Sequence, residues 1–95
     1  MYKNMEEVDF KEIEKVFKSV ANKRRLKILS FLKKEKEATV GDISESIKLS
    51  FKSTSRHLSV LFTAGVVDKD QRGLEVYYSL SPVQSSIIKH TLTIL

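Results

Sequence analysis

Hydrophobic residues recur at helical spacing through the first two thirds of the chain. An apolar residue at every third or fourth position, with polar residues between, is typical of a helix that packs one face against a core. Asn22, Thr39 and Ser50 are favourable N-cap residues, and Gly65 accepts the left-handed backbone that ends many helices. The pattern therefore predicts four successive helices, over residues 6–20, 22–34, 39–47 and 50–64.

The pattern changes to that of a β-hairpin after Gly65. Val66 and Val67 begin one predicted strand, and a turn is predicted at residues 71–73. Residues 74–80 return with alternating apolar and polar side chains, as in a strand with one buried face.

The dipeptide Ser81-Pro82 predicts the start of a last helix over residues 82–93, because serine caps helices and proline favours the first helical position. The predicted order is α-α-α-α-β-β-α, mainly α with a small β-hairpin. Short helices followed by one hairpin describe a winged helix-turn-helix in a single domain of residues 1–95. The helix-turn-helix covers residues 39–64 and the hairpin, or wing, covers residues 66–80.

Composition narrows the class of protein. A chain of 95 residues is one domain by size. It has no cysteine, which excludes disulfides, thiolate metal sites and cysteine nucleophiles. No apolar run approaches the roughly 20 residues that cross a bilayer, and the first residues lack the apolar stretch of a secretion signal. We expect a cytoplasmic protein with no membrane partner.

The chain is basic, and its positive charge is concentrated. The net charge is +5, which favours an anionic partner. Residues 21–36 hold seven lysines and arginines and one glutamate. Lys23 and Arg25, at the start of the second helix, are candidates for contact with phosphate. The alternative is a solvated basic helix face.

The predicted fourth helix has the chemistry of a DNA-reading helix. At 100° per residue it separates into an inner and an outer face. The inner face holds Thr54, Leu58, Leu61 and Phe62, and the outer face holds Lys52, Ser53, Arg56, Ser59, Val60 and Thr63. Residues 50–67 include no acidic residue, as a helix near phosphates requires, and arginine and serine can bond base edges or phosphate. The alternative is a surface helix of low charge.

The predicted last helix is apolar on more than one side, which a terminal helix of a small monomer should not be. A second subunit can cover it through the first helix, and the predicted dimer interface consists of Phe10, Ile13, Val83, Ile87, Ile88 and Leu92. The alternative is a last helix that docks on its own core.

Three stretches of the sequence, SVANKRRLKIL, TVGDISESIKLSFKSTSRHLSVLFTAGVV and GLEVYYSL, resemble the ArsR-type bacterial and archaeal repressors. The resemblance covers about two thirds of the chain. It implies a homodimer that binds a two-fold operator in double-stranded DNA, with the fourth helix in the major groove. The residues that it implies face DNA there are Lys52, Ser53, Ser55, Arg56 and His57. It also implies that Arg72, helped by Lys69 and Gln71, brings the wing to the adjacent groove or backbone.

The sequence departs from this family where many members sense metals. Their Cys-Val-Cys aligns with Thr39-Val40-Gly41, and the last helix offers only His90 where others have Asp and His ligands. A single imidazole per chain is a poor zinc site. We therefore predict no metal site and no cofactor, and the sequence does not identify an effector.

Two other functional classes are weighed against DNA binding. A winged helix that binds only proteins should present an apolar outer face, and Val60 is the one clear apolar residue there. An enzyme needs paired carboxylates, a glycine-rich phosphate loop or a nucleophile–base–orienter set, and none is recognisable. We predict a DNA-binding transcriptional regulator, with the protein-interaction module as the alternative.

Overall fold

A computed structural model describes residues 8–95, and in this range the chain forms five helices and a three-stranded antiparallel sheet. The elements are α1 Phe10–Val20, α2 Lys23–Glu35, β1 Glu37–Thr39, α3 Val40–Ile47, α4 Phe51–Thr63, β2 Val67–Arg72, β3 Glu75–Leu80 and α5 Ser86–Thr93. Asp9 caps α1, so this helix begins later than predicted, and residues 6 and 7 lie outside the described range.

The predicted helix starts at the centre of the chain are confirmed, and the reason is local capping. Asn22 Oδ1 accepts hydrogen bonds from two backbone N–H groups in the first turn of α2. Thr39 and Ser50 each accept one from the first turn of α3 and α4. These side chains satisfy donors that a helix leaves without a partner.

The turn between α3 and α4 is tight. Lys48 adopts the left-handed conformation with φ 56°, and the N–H of Leu49 donates to the carbonyl of Ser44 at 3.0 Å. Ser50 then starts α4 immediately. This short connection fixes the angle of α4 against α3, as in a helix-turn-helix.

The sheet contains one strand more than the sequence pattern predicts. Its order is β1-β3-β2, and Ala38 in β1 pairs with Tyr78 in β3. Three residues are too few for an alternating pattern to reveal a strand. Because an isolated hairpin is marginal, β1 stabilises the wing by adding a third strand.

The hairpin turn also differs from the prediction. Gln71 and Arg72 are the last residues of β2, paired with β3, and the turn consists of Gly73 and Leu74. Gly73 has φ +63°, which a glycine adopts without strain.

The prediction that the last helix begins at Ser81-Pro82 is wrong, because α5 begins at Ser86 with Ser85 as its cap. The Gln84 amide donates to the carbonyls of Val66 and Ser81, at 2.9 and 2.6 Å. These bonds hold residues 81–84 as a non-helical link against the end of α4.

One hydrophobic core joins α2, α3, α4, the sheet and α5. Its fully buried large side chains include Ile28, Leu29, Leu32, Ile43, Leu58, Leu61, Val66, Val67 and Ile88. Two placements differ from expectation. Ile88 is 1% exposed and belongs to this core, while Phe62 is 41% exposed instead of facing inward. Within residues 8–95 no helix is both long enough and apolar enough to cross a bilayer.

Candidate nucleic-acid interface

The two faces of α4 are separated largely as the sequence predicts. Thr54, Leu58 and Leu61 are buried, and Lys52 and Arg56 are exposed on the other side. The exposed and half-buried polar residues near them are Ser53, Ser55, His57, Ser59 and Thr63. The outer face of α4 therefore presents cations and hydroxyl groups, with no carboxylate of its own.

Arg25 links three helices beneath this face. Its Nε donates to the carbonyl of Ser19 at 2.7 Å and its Nη2 to that of Lys18 at 3.3 Å. Both carbonyls lie in the last turn of α1, where a helix has unpaired acceptors. Arg25 Nη1 lies 3.3 Å from His57 Nδ1 on α4. Arg25 is half-buried, and the hydrogen bonds of its guanidinium link α1 and α2 to α4.

The pKa of His57 is lowered from 6.5, first by desolvation and then by the positive charges of Arg25, Arg24 and Arg56. The imidazole is therefore neutral at neutral pH. Nδ1 accepts from Arg25, which places the ring proton on Nε2. His57 can offer this N–H as a donor to an anionic partner.

A second group of basic residues lies where α2 meets the turn between α3 and α4. Lys23, Arg24 and Lys27 from α2 meet Lys48 of the α3–α4 turn around a concavity of about 300 Å³. Lys48 was not among the predicted site residues. Its left-handed conformation depends on the turn, and no local sequence signal marks it as functional.

The Arg72 side chain of the wing is bound to carboxylates of the same sheet. Arg72 Nη1 and Nη2 donate to the two carboxylate oxygens of Glu37 in β1, each at 2.8 Å. Its Nε donates to Asp70 at 2.9 Å, and its guanidinium lies 4.5 Å from the Tyr77 ring centroid. The bond to Arg72 lowers the pKa of Glu37, and the bonds to Glu37 and Asp70 raise the pKa of Arg72. We call this group the Arg72 clasp.

Lys69 connects the wing to α4, because its Nζ lies 4.5 Å from the centroid of the Phe62 ring. This cation–π contact covers part of the exposed Phe62 ring. Gln71 is exposed and donates to the carbonyl of Gly73 at 3.3 Å. Leu74, at the wing tip, is fully exposed.

The predicted dimer residues are unevenly exposed. Phe10 is 70% and Val83 82% exposed, and Ile13 is also exposed. Ile87 and Leu92 are half-buried. Phe17 and Ile94, which are outside the six predicted interface residues, are also exposed apolar side chains.

No three His, Asp or Glu side chains converge on a possible metal position anywhere in residues 8–95. Thr39 caps the start of α3, and Gly41 lies in the first turn of this helix.

The chain matches a family model described as "Bacterial regulatory protein, arsR family" over residues 22–69. The transcriptional repressor SdpR of Bacillus subtilis is 41% identical over 66 residues, which cover 70% of this chain and 72% of SdpR. The structure of HlyU from Vibrio cholerae aligns with TM-score 0.76 and 32% identity, covering 93% of this chain and 91% of that one.

A third similar structure is the homodimeric winged helix-turn-helix DNA-binding domain of a possible ArsR-family regulator from Mycobacterium bovis. It aligns with TM-score 0.75 and 25% identity, covering 88% of this chain and 74% of that one. The shared fold and the family match agree with the capped helix-turn-helix and the wing. The chain therefore belongs to the ArsR family of bacterial regulatory proteins and is a winged helix-turn-helix transcriptional regulator, not an enzyme.

Proposed function

We propose that this protein is a homodimeric repressor that binds a two-fold operator in double-stranded DNA through the outer face of α4. The observation that carries the proposal is this face itself. Lys52 and Arg56 are exposed among hydroxyl side chains, and residues 50–67 contain no carboxylate. Such a surface attracts phosphate and can bond base edges in the major groove.

Within this interface we assign direct contact with DNA to Lys52, Ser53, Ser55, Arg56 and His57. Arg56 is the candidate for a bidentate bond to guanine, and His57 can donate from Nε2. Lys23 and its basic neighbours are assigned to the phosphate backbone. Arg25 instead serves to position α4, because its guanidinium already bonds two carbonyls and His57.

The wing is assigned a supporting contact. Gln71 is exposed near the tip, whereas Lys69 and Arg72 are occupied by Phe62 and by the Arg72 clasp. Lys69 and Arg72 can therefore reach the DNA backbone only after leaving these partners.

A dimer through α1 and α5 covers the exposed apolar side chains Phe10, Ile13 and Val83, with Ile87 and Leu92 beside them. Ile88 contributes only from within the core. The similar Mycobacterium bovis domain is described as homodimeric. SdpR is named a repressor, which supports repression here. Since the chain has no cysteine, we propose that its release from DNA does not use thiolate-bound metal.

Selection of bound sequences from random duplex DNA, at stated salt concentrations, tests the proposal. We expect a palindromic motif with half-sites about one helical turn apart, and affinity that falls steeply with salt. A module that binds only proteins would retain no duplex DNA even at low salt.

A further inference from the structure

A cleft of about 520 Å³ lies between α1 and the C-terminal half of α4. Its lining residues are Lys11, Glu14, Lys15, Lys18, Ser19, Arg25, Ser59, Val60, Thr63 and Ala64. This volume falls within the usual range of small-molecule sites. We refer to it as the α1–α4 cleft.

The lining of the cleft carries an excess of positive charge. Four basic residues, three of them lysines spaced along one side of α1, face one glutamate. Lys18 lies 3.7 Å from Glu14, and Lys15 lies 3.6 Å from Glu12, in exposed pairs that hold weakly. Within residues 8–95 no carboxylate lies within ion-pair distance of Lys11 or Arg25, and Glu14 is the one acidic residue in the cleft lining that the structure describes.

The lining of the cleft also exposes apolar surface between its charged groups. Val60 and Ala64 contribute hydrocarbon from α4, and the lysine side chains add their methylene stems. A DNA phosphate would satisfy the charge but leave this apolar surface uncovered. An organic anion with an apolar body satisfies both features.

The cleft does not coincide with the proposed dimer surface. Each of Phe10 and Phe17 precedes a cleft lysine by one residue, and one residue turns a helix by about 100°. A partner subunit seated on the exposed phenylalanines therefore contacts a different side of α1.

We propose that the α1–α4 cleft binds a small amphipathic organic anion, and that this binding opposes DNA binding. The ligand's anionic group lies among the cations Lys11, Lys15 and Arg25, and its apolar body lies against Val60 and Ala64. The second half of the proposal rests on the proposed function.

The opposition to DNA follows from position. Ser59, Val60 and Thr63 lie on the outer face of α4, so an anion beside them repels the approaching phosphates. The same anion competes with His57 Nδ1 for Arg25 and so loosens the bond that positions α4. By linkage, DNA must weaken ligand affinity by the same factor.

The test uses sodium decanoate below its micelle concentration as the probe, titrated into the full chain without DNA. Decanol, which has no charge, and inorganic phosphate, which has no apolar body, are the comparison ligands. We expect saturable decanoate binding in calorimetry and backbone amide shifts confined to α1 and residues 59–64. Equal affinity for decanol or phosphate, no saturable binding, or shifts centred on Phe10 and Val83 would overturn the proposal.

The matched variants are Lys11→Gln with Lys15→Gln in the cleft, and Lys34→Gln with Lys36→Gln on the exposed end of α2. Both pairs change the net charge equally. Decanoate affinity should fall about fivefold to tenfold in the cleft variant only, the loss expected for two partly exposed charge contacts. Equal loss in both variants would show a non-specific charge effect and overturn the assignment.

The link to DNA is tested by fluorescence anisotropy on a selected operator. Decanoate should weaken operator binding by the wild type and much less by the cleft variant. If the wild type binds decanoate but its DNA affinity does not change, the proposed effect on DNA binding is wrong, while the proposed ligand site is retained. Decanoate binding is measured without DNA, so its result does not depend on whether the protein binds DNA. A failure of the proposed DNA binding can therefore be distinguished from a failure of the proposed ligand site.

Discussion

Arg25 Nη1 and His57 Nδ1 lie 3.3 Å apart, and this hydrogen bond connects the first turn of α2 to the middle of α4. The same guanidinium bonds two carbonyls at the end of α1. The orientation of the outer face of α4 therefore depends on a helix assigned to the dimer contact. We therefore expect Arg25 to affect DNA binding without contacting DNA.

Arg25→Ala is expected to weaken operator binding while leaving its salt dependence almost unchanged. Removal of a phosphate contact instead lowers the slope of log affinity against log salt by about one. Anisotropy titrations at several salt concentrations separate the two roles, and Lys27→Ala, which removes an assigned phosphate contact, is the comparison expected to lower the slope. A slope reduced by about one in Arg25→Ala would assign Arg25 to the backbone contact.

Arg56→Ala is expected to reduce operator affinity by about 1–3 kcal/mol and to relax selectivity at one base pair in each half-site. The reason is loss of a bidentate bond to a base edge. Lys52→Ala is the comparison, since loss of a phosphate contact weakens binding to all sequences alike. Competition titrations with operator variants measure both effects. Unchanged selectivity in Arg56→Ala would remove Arg56 from base reading.

The free energy of unfolding should fall as the pH drops below 6.5, in part because of His57. Its pKa is lowered in the folded protein, so the unfolded chain binds the proton first. The contribution of His57 to the free energy of unfolding begins to fall near its pKa in the unfolded chain, and it is fully lost once the pH is below its pKa in the folded protein. Urea unfolding across this interval should show a smaller decline in His57→Gln, and an identical decline would contradict the assignment.

Glu37→Gln is expected to strengthen binding to duplex DNA and to steepen its salt dependence. The change opens the Arg72 clasp, removes a carboxylate beside the wing and leaves the Arg72 guanidinium less occupied. Glu35→Gln removes the same charge two residues away and is the control. If both variants bind DNA equally, the clasp does not restrain the wing.

Thr54→Val should raise the free energy of unfolding by about 1 kcal/mol. Thr54 is fully buried, and its hydroxyl oxygen has no hydrogen-bond partner among the described residues. Valine keeps the shape and removes the unsatisfied group. Thr63→Val, exposed on the same helix, should change stability by less than about 0.5 kcal/mol. A loss of stability in Thr54→Val would mean that the hydroxyl is bonded in solution.

Features with a local cause could be predicted from the sequence. Asn22, Thr39 and Ser50 cap their helices because each accepts from N–H groups two or three residues ahead. Gly65, at φ +76°, ends α4 as its lack of a side chain allows. The separation of cations from core residues on α4 likewise follows from helical spacing alone.

Features that depend on distant parts of the chain could not be predicted. Residues 81–84 do not join α5 because Gln84 donates to the carbonyl of Val66, eighteen residues earlier. The role of Arg25 depends on His57, thirty-two residues later. Phe62 looks like a core residue by its spacing, but Lys69 covers it from the wing.

The placement of β2 at the edge of the sheet has a consequence for self-association. In the described chain β2 pairs only with β3, so its other side presents unpaired backbone groups that could recruit a foreign strand. Every residue of β2 after Val67 is exposed and polar, and four of these five are charged. Such an edge resists strand addition, so we expect the protein to form no β-aggregates even at high concentration.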